Sequence, residues 1–486
     1  MKKILLCVAL VILILTGIVT VRTIRFASKQ IEVSAASEIK LDTDSITERL
    51  SRAIQYKTVS ADEPLASSAE EFLRFHEFLR NAFPRLHRAL RRETVGEYSL
   101  LYGWKGRSDR LRPIALLGHM DVVPVDPGSE RHWTHPPFSG RRADGYIWGR
   151  GALDDKASMM AILEAVEELL ERGFRPQRTV YLAFGHDEEL GGRNGARKIA
   201  DLLRSRKVAL EYVLDEGGAI LDGIIPGSVS PAALVGIAEK GYATLELTVD
   251  GPGGHASMPP GGSAIGILSQ AIHKLETAPL PPRFDGATRQ LLEFLGPELP
   301  SIQKLLLANL WLFRGLVQRE LAASPLTNAM IRTTMATTIV EGGVQENVLP
   351  TRARAVLNVR IVPGDTVAGI VEQVRKTIND SRVKVTPGEL VLEPSPVSDV
   401  NSPGFNLLHR TIRQIEPHAT VAPALLIAAT DSRHYIDLTK NLYRFLPLTL
   451  RTEDLARFHG IDEKISVSNY EQCVRFYAQL IRNSNE

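Results

Sequence analysis

Hydrophobic and polar positions divide the chain into three textures. The first is an apolar run over residues 4–21, interrupted only by Thr16, Gly17 and Thr20. Lys2 and Lys3 precede it, and Arg22 and Arg25 follow. The run is long enough to span a bilayer and shows no amphipathic period, which predicts an N-terminal transmembrane helix. The second texture alternates short apolar runs with amphipathic stretches. Residues 113–117, 179–184 and 211–214 read as strands. Residues 46–54, 67–83, 155–172 and 193–206 read as helices, the first after the capping residues Asp42-Thr43-Asp44-Ser45. Residues 85–92 read as a solvated, arginine-bearing helix end. Strands alternating with helices predict an α/β sheet sandwiched by helices. The third texture begins near residue 238. Residues 243–249 alternate as a half-exposed strand, with strands at 331–339, 353–361 and from 383, and helices at 263–275 and 366–378. This predicts a smaller inserted α+β domain of βαββαβ type. Helices at 405–415 and 468–481 close the chain. The expected division is an anchor over 1–26, a stalk over 27–41, a first catalytic part over 42–237, an inserted lid or dimerisation domain over 238–393, and a second catalytic part over 394–486.

Composition narrows the chemistry. The 486 residues carry a net charge of +2, with 44% hydrophobic and 23% charged residues. No nucleic-acid footprint follows from such a balance. Two cysteines, Cys7 and Cys473, exclude a disulfide framework and a thiolate cluster. Any metal must therefore sit on imidazole and carboxylate.

Those groups lie where the predicted strands stop. The strand at 113–117 runs into Gly118-His119-Met120-Asp121-Val122-Val123-Pro124. An imidazole two residues before a carboxylate suits a metal ligand and the group that orients it. Asp154-Asp155 precedes a helix, Glu188-Glu189 follows the strand at 179–184, and Asp215 follows the strand at 211–214. His459 lies in Arg457-Phe458-His459-Gly460. Histidines and carboxylates without cysteine suit zinc and similar divalent ions. A pair of ions needs a bridging carboxylate. Adjacent Glu188 and Glu189 then divide: one binds metal, and the other stays free to move protons.

These motifs resemble the aminoacylase and glutamate-carboxypeptidase family of two-zinc peptidases. The resemblance continues through Trp148-Gly149-Arg150-Gly151-Ala152-Leu153-Asp154-Asp155-Lys156, Asp215-Glu216-Gly217-Gly218, Gly254-His255-Ala256-Ser257, Glu346-Asn347-Val348-Leu349-Pro350 and Thr430-Asp431-Ser432-Arg433. It covers the chain from about residue 45 to the end. Thr327-Asn328-Ala329-Met330 and His459-Gly460-Ile461-Asp462-Glu463-Lys464 resemble one branch, which holds the mammalian N-fatty-acyl-amino-acid synthase/hydrolase and yeast vacuolar carboxypeptidase S. The resemblance implies two Zn²⁺ per subunit. Asp154 would bridge them, His119 and Asp215 would complete one site, and Glu189 and His459 the other. Glu188 would be the general base, and Asp121 would orient His119. His255 would stabilise the oxyanion, and Asn347, Arg360 and Arg433 would bind substrate. A cis peptide between Asp154 and Asp155 is also implied.

The function expected is a zinc-dependent amidohydrolase that cleaves or forms the amide of N-acyl, especially N-fatty-acyl, amino acids. The alternative is a metallo-carboxypeptidase acting on short peptides. The partners expected are a small-molecule substrate, a membrane through the N-terminal helix, and a second copy through the inserted domain. The catalytic part is expected outside the cytoplasm, anchored by one span or secreted after cleavage near Ser34-Ala35-Ala36. Residues 302–316 are apolar beyond one helical stripe, which suits a buried core helix, an acyl tunnel or a membrane contact.

Overall fold

The structure, a computed structural model, describes residues 1–37, 39–60, 66–225 and 227–485. Its main sheet is built from β1 (Arg91–Val95), β2 (Ser99–Trp104), β3 (Ile114–His119), β4 (Val180–Gly185), β5 (Val213–Asp215), β6 (Ala232–Glu239), β7 (Thr420–Leu426) and β8 (Leu442–Arg444). The short strands Ile220–Leu221 and Thr449–Leu450 extend it. The order is β1-β2-β4-β3-β5-β8-β6, with β7 also paired to β6. β4, β3, β5 and β8 run parallel, so their carboxyl ends share one edge. The Ile-Ala-Leu-Leu run of β3 is wholly buried, as expected of a strand covered on both faces.

Two helical layers supply that cover. On one face lie α1 (Lys156–Glu171) and α2 (Val467–Asn483), within a core that includes Leu116, Met160, Leu163, Phe184 and Tyr477. On the other, Ile199, Ala200 and Leu203 of Ala196–Ser205 pack with Leu117 and Val213. Residues 91 and 92, read as part of a helix end over 85–92, instead begin the edge strand β1. Its polar sequence, RRETV, carries no strand signal of its own and pairs because β2 presents a free edge.

A second sheet has its own core. Gly241–Asp250, Thr334–Gly342, Arg352–Ile361 and Val383–Leu392 pair antiparallel, with Arg352–Ile361 and Gly241–Asp250 in the centre. The helices Ala264–Thr277 and Val367–Ile378 cover it through Leu268, Ala271, Ile370 and Val374. The helix Gly286–Leu295 falls within the same stretch of chain but packs elsewhere: Ala287, Phe294 and Leu295 join the main core beside β7. Periodicity marks an apolar face and does not say which sheet it meets.

The apolar N-terminus forms one helix, Lys2–Arg25, the one described helix long and apolar enough to cross a membrane by length and composition. The segment after it, read as a stalk over 27–41 (residue 38 lies outside the described residues), is tied to the body. The Gln30 side chain donates to the Val421 carbonyl (2.9 Å) and accepts from the Val421 amide (2.9 Å), like a strand added beside β7. Lys29 pairs with Glu293 at 2.7 Å, and the Ala36 amide donates to the Gln414 carbonyl.

Candidate metal centre and active site

Because β4, β3 and β5 are parallel, the loops after them converge. In open α/β sheets this carboxyl edge is where ligands bind. His119 closes β3 and is buried. Its Nδ1 lies 2.9 Å from the Asp121 carbonyl and 3.3 Å from Asp121 Oδ1. A carbonyl only accepts, so Nδ1 carries the hydrogen and Nε2 keeps its lone pair. That lone pair faces two carboxylates: Asp154 Oδ1 at 3.0 Å and Glu216 Oε1 at 3.4 Å. Three electron-rich atoms this close require a proton or a cation between them.

Asp154 turns its other oxygen to a second cluster. Its Oδ2 is 3.1 Å from His459 Nε2, which is 3.3 Å from Glu189 Oε2. Two groups therefore share Asp154: His119, Asp154 and Glu216, and Asp154, Glu189 and His459. The fit to cations is chemical as well as geometric. Glu189 Oε1 is buried with no hydrogen-bond partner, as are both oxygens of nearby Asp431. Burial, with Asp154 adding to it, pushes Glu216 well above the usual carboxylate range. Burial does the same to Glu188, with Glu216, Asp431 and Glu189 adding to it. Such crowding of carboxylates is relieved by positive charge. His459 is raised to about 10 by its bonds to Asp154 and Glu189, two carboxylates that favour positive charge at this point.

The local backbone explains the geometry. The Asp154–Asp155 peptide is cis, as expected. Buried Glu463 accepts from the Leu153 amide (2.7 Å) and the Asp154 amide (3.2 Å). Arg150 grips Glu463 at 2.7 Å and donates to the His459 carbonyl at 3.0 Å. One buried ion pair thus ties the shared aspartate to the distant histidine. His459 takes a left-handed φ of 58°. Asp155 faces inward: its Oδ2 accepts from the His119 amide at 3.2 Å, and burial pushes it up to about 8.

Asp121 does more than hold His119. Its oxygens accept from the backbone amides of Glu188 and Glu189 (3.2 Å each) and from Ser60 Oγ at 2.8 Å. Burial pushes Asp121 up, but its bond to and attraction for His119, with the Ser60 hydroxyl and the Glu189 amide, together hold the group below its ordinary value.

One expected residue is displaced. Asp215, expected as a ligand beside His119, is buried with Oδ2 accepting from the Ser432 amide (2.6 Å) and Oδ1 from the Glu216 amide (3.0 Å). Glu216 holds the place beside His119. Side chains of successive residues at a strand end leave on opposite sides, so a one-residue step exchanges the two. Asp215 instead joins a network in which Glu239, paired with buried Arg444 at 2.9 Å, accepts from Thr430 and Ser432. Glu216, Arg150 and Glu463 were not singled out as site residues. The signal for them is adjacency: Glu216 follows Asp215, Arg150 lies four residues before Asp154, and Glu463 four residues after His459.

The expected substrate groups are spread wider. Arg433 lies in the turn Asp431–Tyr435 with its Nε buried and unpartnered. His255 and Asn347 sit on the second sheet's side, where the two-residue strands Gly254–His255 and Val348–Leu349 pair. His255 is exposed, with Nδ1 bonded to Ser257 Oγ at 2.7 Å. Arg360, in Arg352–Ile361, stacks over Tyr242 at 4.8 Å. Among the described residues, none of these three bonds to the His119 or His459 clusters.

Two histidine–carboxylate clusters that share one aspartate, at the carboxyl edge of a parallel sheet and with a further glutamate beside them, define a candidate two-metal hydrolase. The model of Peptidase family M20/M25/M40 matches residues 115–483, and the chain belongs to that family of enzymes. It is 46% identical over 477 residues to Probable carboxypeptidase S-like 2 of Dictyostelium discoideum, covering 96% of this chain and 91% of that one. It is 43% identical to an N-fatty-acyl-amino acid synthase/hydrolase of Danio rerio, over 89% and 84% of the two chains. The fold is that of an M20 family metallo-carboxypeptidase from Sulfolobus solfataricus, at a TM-score of 0.66 and 17% identity over 90% of this chain and 99% of that one.

Proposed function

We propose that this chain is a membrane-anchored, two-zinc amidohydrolase that cleaves, and in reverse forms, the amide of N-fatty-acyl amino acids. One observation carries the reading: Asp154 offers one oxygen to each histidine cluster, while Glu188, within electrostatic reach of His119, Glu216 and Glu189, belongs to neither. A pure binding site has no use for the extra base. The Danio rerio relative's name supplies the substrate class.

In this reading His119, Asp154 and Glu216 hold one zinc, and Asp154, Glu189 and His459 the other, with Asp215 supporting the Glu216 turn. Bound zinc supplies a water of lowered pKa and a Lewis acid for the amide carbonyl. Asp121 keeps His119 in the ligating tautomer and fixes the Glu188 backbone. Glu188 takes a proton from the attacking water and returns it to the departing amine. The bond broken is the amide C–N; the products are a fatty acid and a free amino acid. Arg433 and Arg360 bind the substrate carboxylate, for which a guanidinium offers paired donors, and Asn347 assists. The unpartnered Arg433 Nε supports that role. His255 reaches the oxyanion when the second-sheet part of the inserted domain, residues 238–393, closes or when a partner subunit lends it. The anchor places the catalytic part outside the cytoplasm.

The second reading, a carboxypeptidase on short peptides, is favoured by the name of the Dictyostelium discoideum relative. One assay separates them. The full chain in detergent is given long-chain N-acyl amino acids, N-acetyl amino acids and dipeptides, before and after chelation and zinc return. The expected result is chelator-sensitive hydrolysis with kcat/KM for the long-chain amide at least about tenfold above the acetyl amide, as binding of additional methylenes allows. A preference for dipeptides overturns the first reading in favour of the second.

A further inference from the structure

Let α3 be the N-terminal helix Lys2–Arg25, α4 the helix Ser301–Ala308 and α5 the helix Leu310–Ala322. We propose that the α4–α5 pair docks on the lipid bilayer beside α3, as a second membrane contact. The proposal rests on the anchor reading of α3, and the clues are independent of the metal centre.

The apolar helix does not leave the body freely. Leu15, Val19, Thr23 and Phe26, at helical spacing, are the partly covered positions from its middle to its end; nearly every other side chain of α3 is exposed. That stripe meets α4. Asn309, fully buried at the α4–α5 joint, directs Nδ2 to Val19 O (3.3 Å), Thr23 Oγ1 (3.1 Å) and Leu305 O (3.0 Å). Arg22 Nε donates to the Ala308 carbonyl. Phe26 packs over Gly296 so closely that a Cβ there would lie 2.7 Å from its ring. A polar side chain buried in this way makes the contact specific.

The joint sets the depth. From Val19 back to Ile4, α3 runs about 22 Å at the helical rise of 1.5 Å per residue. Most of a hydrocarbon core therefore lies beyond the contact. Arg22 and Arg25 then fall at headgroup level, and the α4–α5 pair at the boundary between headgroups and acyl chains.

The face presented there suits that boundary. Of α5, only Val317 is buried. Trp311, Leu312 and Leu316 are about half exposed, and Ile302 of α4 is more so. The Trp311 Nε1 bonds Asn309 Oδ1, which places the indole beside the α3 contact. Tryptophan is favoured at membrane interfaces, and an apolar helix face beside basic residues is the pattern of an in-plane helix. Lys304, Arg314 and Arg319 supply the basic residues. The bilayer is thus an occupant continuous with the span itself. A long-chain acyl substrate dissolved in that bilayer would meet the enzyme at this face.

Trp311 is also the reporter. The other tryptophans, Trp104, Trp133 and Trp148, are buried. The full chain is reconstituted into phosphatidylcholine vesicles with brominated acyl chains, and tryptophan emission is compared with that in unbrominated vesicles. Expected is quenching that Trp311→Phe removes, together with protection of that emission from aqueous acrylamide. Quenching by acrylamide with none by bromolipid would leave the face in water and overturn the proposal. Protection from both quenchers would mean that protein, a second copy, covers it, and also overturns it. A second variant, Leu312→Glu with Leu316→Glu, should abolish the bromolipid quenching. It should raise KM for vesicle-borne long-chain substrate by about tenfold or more, from the loss of two buried leucines. Hydrolysis of short, water-soluble acyl amino acids should stay within about twofold. The quenching needs no substrate, so its failure is distinct from failure of the proposed function.

Discussion

At the scale of single residues, the site depends on adjacent acids that make different contacts. Asp121 accepts from the amides of both Glu188 and Glu189, which fixes their backbones. Only Glu189 joins a cluster with a histidine. Glu188→Gln is therefore expected to retain two metals per chain and lose turnover by about 10²-fold or more, the usual contribution of a general base. Glu189→Gln and Glu216→Gln are expected to lose about one metal each, because each removes a charged ligand from one cluster. Metal analysis after gel filtration, paired with turnover, checks all three. Full metal content in Glu216→Gln together with loss in Asp215→Asn would return the ligand role to Asp215.

At the scale of elements, the clamp between residues 150–154 and 459–463 joins the centre's two halves. Arg150 and Glu463 are both buried, and removing one partner of such a pair costs about 3–5 kcal/mol. Arg150→Met should lower the melting temperature and weaken the retention of metal, since Asp154 and His459 lose their common support. Adding Glu463→Gln to Arg150→Met should recover at least about 1 kcal/mol of that loss, because no unpaired carboxylate is then buried. Thermal unfolding of the two single variants and the double variant gives the cycle. Strict additivity would show that the pair does not act as a unit.

At the scale of the whole molecule, the connection between the segment after the N-terminal helix and the body is titratable. His409 is buried, and its Nε2 meets Gln30 Oε1 at 3.2 Å. Burial, aided by the Arg413 charge, lowers it from 6.5 to about 4. Between those values the unfolded chain binds a proton that the folded chain refuses. Stability is therefore complete above about pH 6.5 and falls as pH drops toward 4, by at most about 3 kcal/mol from this group. His76, lowered to about 4 chiefly by burial, acts in the same direction. His409→Gln should flatten the dependence of melting temperature on pH across that window, measured on chelated protein so that metal loss does not contribute. An unchanged slope would sink the assignment to His409.

What the sequence determined by itself is what local pattern and residue chemistry can carry. The apolar run at 4–21 made a helix because nothing in it breaks one. Three of the four parallel strands, at 113–117, 179–184 and 211–214, were legible because burial on both faces leaves an apolar signature, whereas β8, only three residues long, was not. Much of the candidate site was legible because His119, Glu188, Glu189 and Asp215 lie at or just past the ends of parallel strands, where sequence order mirrors spatial convergence. The tertiary structure decided what depends on partners distant in the chain. It chose Glu216 over Asp215 beside His119, since facing is set by the strand's exact end and by the Ser432 amide. It recruited the polar strand at 91–95 through a neighbour's open edge, and sent Gly286–Leu295 to the main core rather than to the nearer sheet. It also laid residues 26–36 against the body and joined the N-terminal helix to Asn309, a contact across 286 positions that no local period can encode.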